Sequence, residues 1–190
     1  MQRLAPRAVA RTEGTPTSRP AALRGAAYTF LCVVVAVQGG HVFEHVMQLI
    51  QVYVLGVADD DALGLLGYLI QFNGTEEWLH LGFNSLYLAS LYVLILPLWR
   101  ITPQALPLWA FALFLLGSVW LETWHVIEHG VIIRHVIANG GCPCPGIGDA
   151  ALGVSDTILH FFYNVLAYVG VVIAFAFAVR ARGGLRLGRA

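Results

Sequence analysis

Lysine is absent from this chain, and charge of either sign is scarce. Eleven Arg and eleven Asp or Glu make up 12% of the 190 residues, against 58% hydrophobic ones. A water-soluble domain carries about a quarter of its residues charged, so most of this surface is expected to face lipid. Ten of the eleven arginines fall in three places: residues 3–24, Arg100, and residues 180–189. These clusters flank apolar segments and do not form one patch, which excludes a nucleic-acid partner. Three cysteines (Cys32, Cys142, Cys144) are too few for a multi-bridge disulfide scaffold or a four-cysteine zinc site. There is no CxxCH for covalent haem, and no G-x-S-x-G, P-loop or G-x-G-x-x-G. The familiar sequence signatures of acyl transfer and of phosphate or dinucleotide binding are thus missing.

What the chain has instead is long apolar runs, at roughly 25–57, 77–98, 105–138 and 155–179. Each exceeds the ~20 residues that cross ~30 Å of hydrocarbon. The first run resembles a signal peptide in place. Its counterpart before His125, Leu106 to Thr123, lies in mid-chain and must be retained, so a transmembrane helix is the better reading. Residues 62–75 are too short and Gly-rich for another crossing and are expected at the interface. The short turn containing Pro103 makes a hairpin of the second and third spans. Residues 1–24, rich in Arg, Pro, Thr and Ser without periodicity, predict a disordered tail. Residues 180–190 form a second basic tail. With four spans, all three arginine clusters share one side. The positive-inside rule makes that side the cytoplasm, with both termini there, in the plasma membrane. Arg134 alone breaks the pattern.

The polar residues inside the spans repeat. His41-Val-Phe-Glu44-His45 returns as His125-Val-Ile-Glu128-His129, and Glu76-x-x-x-His80-x-x-Phe83-Asn84 returns as Asp156-x-x-x-His160-x-x-Tyr163-Asn164. The expected fold is therefore all-α: a four-transmembrane-helix bundle of two duplicated helix pairs, residues 25–98 and 105–179. A pseudo-twofold axis along the membrane normal would relate the halves. Counting from the cytoplasmic ends, His45 lies 21 residues after Arg24 and His80 lies 20 before Arg100. His125 follows Pro103 by 22, and His160 precedes Arg180 by 20. At ~1.5 Å per residue all four reach one depth, about 30 Å from the inner face.

On a helix, positions i, i+3 and i+4 share a face, as do i, i+4 and i+8, so six histidines and their acids converge on the bundle axis. A lone intramembrane histidine is more often an interhelical hydrogen-bonding group. Six of them, with acids and no lysine or arginine except Arg134 near their depth, call for bound cations. Imidazole and carboxylate are the usual ligands of divalent and trivalent metal ions. Predicted ligands are His41, Glu44, His45, His80, His125, Glu128, His129 and His160, holding two ions. Asn84, Asn164, Glu76 and Asp156 are expected to orient the rings. Tyr163 stands where the first half has Phe83, and Glu122 where it has Gln38, so these two are the candidate catalytic groups. Glu-x-x-His on paired helices holds two iron or manganese ions in soluble four-helix bundles. Iron is expected first, with copper, manganese or zinc as the other ions this donor set accepts. The expected activity is redox or oxygenase chemistry on O2 and a small apolar or lipid-soluble substrate, fed by an electron-donor protein; association into an oligomer is compatible with it. Two alternatives use the same residues: a b-type haem held by histidines for electron transfer, and a metal-ion transporter. Haem leaves the glutamates unexplained. Transport lacks a charged path inward, since residues 86–98, 105–119 and 165–179 carry no charged side chain. Cys142-Pro-Cys144-Pro, in the loop on the outer side of the site, is a lid or transient metal-docking point, a strained disulfide in an oxidising compartment, or a constrained loop whose cysteines do little. His135 is left outside.

Overall fold

The computed structural model describes residues 19–70, 76–101, 104–140 and 146–187; the side chains it describes are those of 25–59, 61–69, 77–101, 104–140 and 146–182. The predictions for residues 1–18, for the turn at Thr102 and Pro103, and for the Cys142–Cys144 loop lie outside the described residues. Seven α-helices run in order, with no strand among the described residues: α1 (Arg19–Tyr53), α2 (Gly64–Ile70), α3 (Glu76–Ile101), α4 (Leu108–Leu113), α5 (Leu121–Asn139), α6 (Ile147–Leu152) and α7 (Asp156–Leu187). A π-helical stretch, Phe114–Trp120, joins α4 to α5 without a break. Four segments are long and apolar enough to cross a membrane: Gly25–Tyr53, Glu77–Ile101, Leu108–Asn139 and Asp156–Arg182.

These four close into a bundle. α1 packs on α7 and α3, and α5 packs on α3 and α7. The outward faces are apolar and exposed, among them Val33, Val37, Phe43, Leu86, Val93, Leu96, Leu116, Ile127 and Phe162. That is the surface lipid requires, since hydrocarbon can replace neither water nor a protein neighbour for a polar group. Inside, the bundle has two storeys. Leu31, Val34, Leu91, Leu94, Leu98, Phe114, Val171 and Ala174 fill the end near the arginine-rich termini. The buried polar residues fill the other end.

Three details were not expected from the sequence. The first helix begins at Arg19, inside the tail of residues 1–24 expected to be disordered. The first span ends at Tyr53, short of the predicted 57, where the chain unwinds into Gly56 at φ 71°. The third span carries the π stretch where a regular helix was expected. At that level Ser118 Oγ donates to the Ala167 carbonyl at 2.6 Å, and a Cβ on Gly170 would stand 2.3 Å from that hydroxyl. Small residues let two backbones meet in a membrane, where helices associate through close packing and hydrogen bonds. The wide turn ends immediately before Glu122 and His125, a position where π segments frequently serve function.

Candidate metal centre

Both HxxEH segments lie within unbroken helix, so their histidines, four residues apart, project from one face. Each pair turns its Nε2 atoms toward each other: His41 and His45 at 3.2 Å, His125 and His129 at 3.1 Å. The partner helices add one ring each. His160 lies tilted against both, 4.7 Å from His129 and 5.0 Å from His125, ring centre to ring centre. His80 lies between the pairs, 5.6 Å from His129 and 5.8 Å from His45. Six imidazoles from four helices thus form one continuous cluster, five of them buried and His80 half-buried. Within it His125, His129 and His160 each offer a ring nitrogen, and these lie within 4.8 Å of one another.

Each of those three rings has a carboxylate on its Nδ1 side. His160 Nδ1 is 3.0 Å from Asp156 Oδ1 and 2.9 Å from the Asp156 carbonyl; His129 Nδ1 is 3.4 Å from Glu77; His125 Nδ1 is 3.6 Å from Glu122. An acceptor that hydrogen-bonds Nδ1 draws the ring proton there and leaves the Nε2 lone pair free, as in metal-bound histidine; His160 has that bond, while Nδ1 of His125 and of His129 has no hydrogen-bond partner among the described residues. His160 Nε2 is buried and has no hydrogen-bond partner among the described residues. The first half is plainer. Gln38 stands at the position of Glu122, and Phe83 lies flat on the His41 ring at 4.1 Å. In the second half Tyr163 occupies Phe83's place, 5.2 Å from the His125 ring, and its hydroxyl accepts the Trp124 indole N–H at 3.1 Å.

Glu44 and Glu128, predicted as ligands, make the same unexpected contact. Glu44 Oε1 accepts the Leu66 N–H at the start of α2, and Glu128 Oε1 accepts the Gly148 N–H of α6 at 2.7 Å. Each carboxylate therefore tethers a short helix over one side of the histidine cluster, at the end of the helix dipole that favours an anion. A side chain on Gly64 would place its Cβ 2.4 Å from Glu44, and one on Gly146 2.6 Å from Glu128. Gln51 completes the first tether: its Oε1 accepts the Gly64 N–H at 2.8 Å and its Nε2 donates to the Gly64 carbonyl at 3.2 Å. Asp149, on α6 outside the spans, has its carboxyl raised from 3.8 to about 6, by burial first and by the neighbouring Asp156 second.

The structure thus brings the six predicted histidines together and places Asp156 and Glu122 beside their rings. Asn164 lies one turn nearer the arginine-rich end, its Oδ1 accepting from Gln38 Nε2 at 2.8 Å and its Nδ2 donating to the His160 carbonyl at 2.9 Å. Asn84 is fully buried at the same level. The side chain of Glu76 is outside the described ones. Glu77, which sequence reasoning passed over, is the acid that reaches His129. Pairing Glu76 with Asp156 in the repeat obscured it, although its spacing three before His80 is equally helical. Gln51 and Trp124 were likewise missed as supporting groups, and no pattern in the sequence marks them. No family model, curated protein or solved structure matches this chain.

Proposed function

We propose that this chain is an integral membrane metalloprotein with its principal metal position at His125, His129 and His160. A second position lies at His41 and His45, with His80 between the two. The supporting observation is the set of three converging imidazoles, each with a carboxylate at Nδ1. Two nitrogens bound side by side to one ion at ~2.0–2.1 Å are ~2.9–3.4 Å apart, depending on coordination geometry. The Nε2 pairs, at 3.1 and 3.2 Å, match that spacing. Histidines four apart on one helix suit adjacent positions on an ion; they do not suit the two opposite faces of a haem. The metal-ion reading is therefore preferred to b-type haem.

In this reading the two helix pairs are duplicated copies about a pseudo-twofold axis along the membrane normal. The repeated Nε2 pairs and the repeated carboxylate tethers support it. With the arginine-rich ends in the cytoplasm, the centre lies in the outer half of the plasma membrane. A dinuclear, iron-type centre would supply redox chemistry toward O2 and a small apolar substrate arriving from the bilayer, with electrons from a partner protein. The chain's own part is to hold the imidazoles in one tautomer, to exclude water beneath α2 and α6, and to offer the Tyr163 hydroxyl beside His125 as a proton donor. Elemental analysis and an absorption spectrum of the purified protein test this. Stoichiometric iron or another transition metal, lost in the His125→Ala/His129→Ala double variant, is the expected result. A Soret band would shift the reading to haem, and absence of both metal and haem would reject it.

A further inference from the structure

At the end of the bundle away from the histidines, the chain carries positive charge with nothing of its own to balance it. Residues 14–43, 78–121 and 157–190 contain no Asp or Glu, while Arg100, Arg180 and Arg182 all stand exposed there. The acids nearest along their helices are Glu77, 23 residues from Arg100, and Asp156, 24 from Arg180. At ~1.5 Å per residue both lie more than ~30 Å away, several Debye lengths. Among the described residues no arginine makes an ion pair. Glu13, outside them, follows Arg3, Arg7 and Arg11, so the N-terminal stretch adds positive charge as well.

The aromatic residues around these arginines fix their level. Trp99, 54% exposed, packs on Phe111 of α4 at 5.4 Å between ring centres, and Trp109, 60% exposed, packs edge-on against Phe177 of α7 at 5.7 Å. Arg100 follows Trp99 directly, and Arg180 lies three residues, ~4.5 Å, beyond Phe177 on the same helix face. The Arg182 guanidinium sits 4.3 Å over the Tyr28 ring of α1, which stacks on Phe175 at 6.2 Å. Three cations on two helices thus stand on the water side of exposed tryptophans, the order in which a leaflet offers phosphate outside its acyl carbonyls. We propose that this end is a docking surface for anionic phospholipid headgroups, with Arg100, Arg180 and Arg182 facing phosphate and Trp99 and Trp109 in the interface beneath. The charge complementarity is with the leaflet because the four apolar spans put this end at its surface. The surface does not depend on what the histidines bind.

Spin-labelled phosphatidylglycerol and phosphatidylcholine, each added to the full chain reconstituted in phosphatidylcholine, test the proposal through the fraction of label that the protein immobilises. The expected result is a preference for the anionic label of up to about five-fold at low salt, the order of factor that one arginine near a leaflet supplies. It should shrink toward equality in 1 M NaCl, where charges are screened within ~3 Å. The triple variant Arg100→Gln/Arg180→Gln/Arg182→Gln should lose most of the preference. Lys at the same three positions should keep it, which separates loss of charge from misfolding, and Arg134→Gln, at the histidine end, should leave it unchanged. Equal immobilisation of the two labels by the wild type would overturn the surface, and so would full preference in the triple Gln variant. Displacement of the anionic label by inorganic phosphate, beyond that by chloride of the same ionic strength, would assign the arginines to a soluble phosphate ligand and overturn the lipid. Metal content of the same samples reports the histidine centre separately.

Discussion

A buried imidazole becomes a ligand when something holds its other nitrogen, and three imidazoles of the second half each have a carboxylate near that position. Asp156 stands 3.0 Å from His160 and Glu77 3.4 Å from His129. If they set tautomer and ring angle, Glu77→Gln and Asp156→Asn should each weaken metal binding ~10- to 100-fold, the usual cost of losing such a partner. Competition against a chelator of known affinity measures this, and an unchanged affinity would mean these acids do not orient the rings. Tyr163 is the other residue with a specific setting, its hydroxyl fixed by Trp124 beside His125. Tyr163→Phe reproduces the residue of the first half. In a turnover assay it should lower activity while leaving metal content intact; full activity would remove the hydroxyl from the proposed chemistry.

The short helices α2 and α6 gain their positions from glutamates of the spans, and glycine makes the approach possible. Gly56 and Gly64 both adopt positive φ, 71° and 69°. An added Cβ at Gly56 meets nothing within 4 Å, whereas at Gly64 it would meet the Glu44 carboxylate. The pair therefore separates strain from contact. Gly56→Ala should cost about 1–2 kcal/mol, the backbone penalty of a left-handed alanine. Gly64→Ala should cost more, because the Glu44 tether must also move. Thermal unfolding together with limited proteolysis of residues 54–75 reads both. Equal effects in the two variants would show that the tether contributes little. The π stretch belongs to the same level of organisation: it lets Ser118 reach the Ala167 carbonyl and brings α7 against the third span directly below the site.

The bundle is held by different forces at its two ends. Close apolar packing fills the storey at the arginine-rich end, and in lipid that packing, more than hydrophobic burial, holds helices together. The other storey is six imidazoles and their acids, a group that the proposed cations would hold together. If those cations are bound, stripping them with a chelator should lower the unfolding midpoint and loosen the histidine-bearing ends of the spans first. At free metal 1,000 times Kd, the ion contributes about 4 kcal/mol. Hydrogen exchange should rise around residues 41–48 and 125–135 and remain slow around 88–98 and 167–178. A uniform rise along the spans would contradict this two-storey picture.

Four apolar runs, a repeated HxxEH and the arginine placement were enough to predict an all-helical chain with four membrane-length helices. Helical periodicity also foretold that six histidines would meet, because side chains i and i+4 share a face in any helix. Spacing along one helix carries no information about which acid of a neighbouring helix lies within reach. That is why Glu77 was missed, and why the bonds from Oε1 of Glu44 and of Glu128 to the backbones of α2 and α6 were not foreseen. The difference between the two halves was visible as Gln38 against Glu122 and Phe83 against Tyr163. Its consequence, three acid-backed imidazoles on one side only, depends on helix packing. Contacts across helices are set by close approach at glycines and by the extra width of one π turn, and neither leaves a periodic trace in the chain.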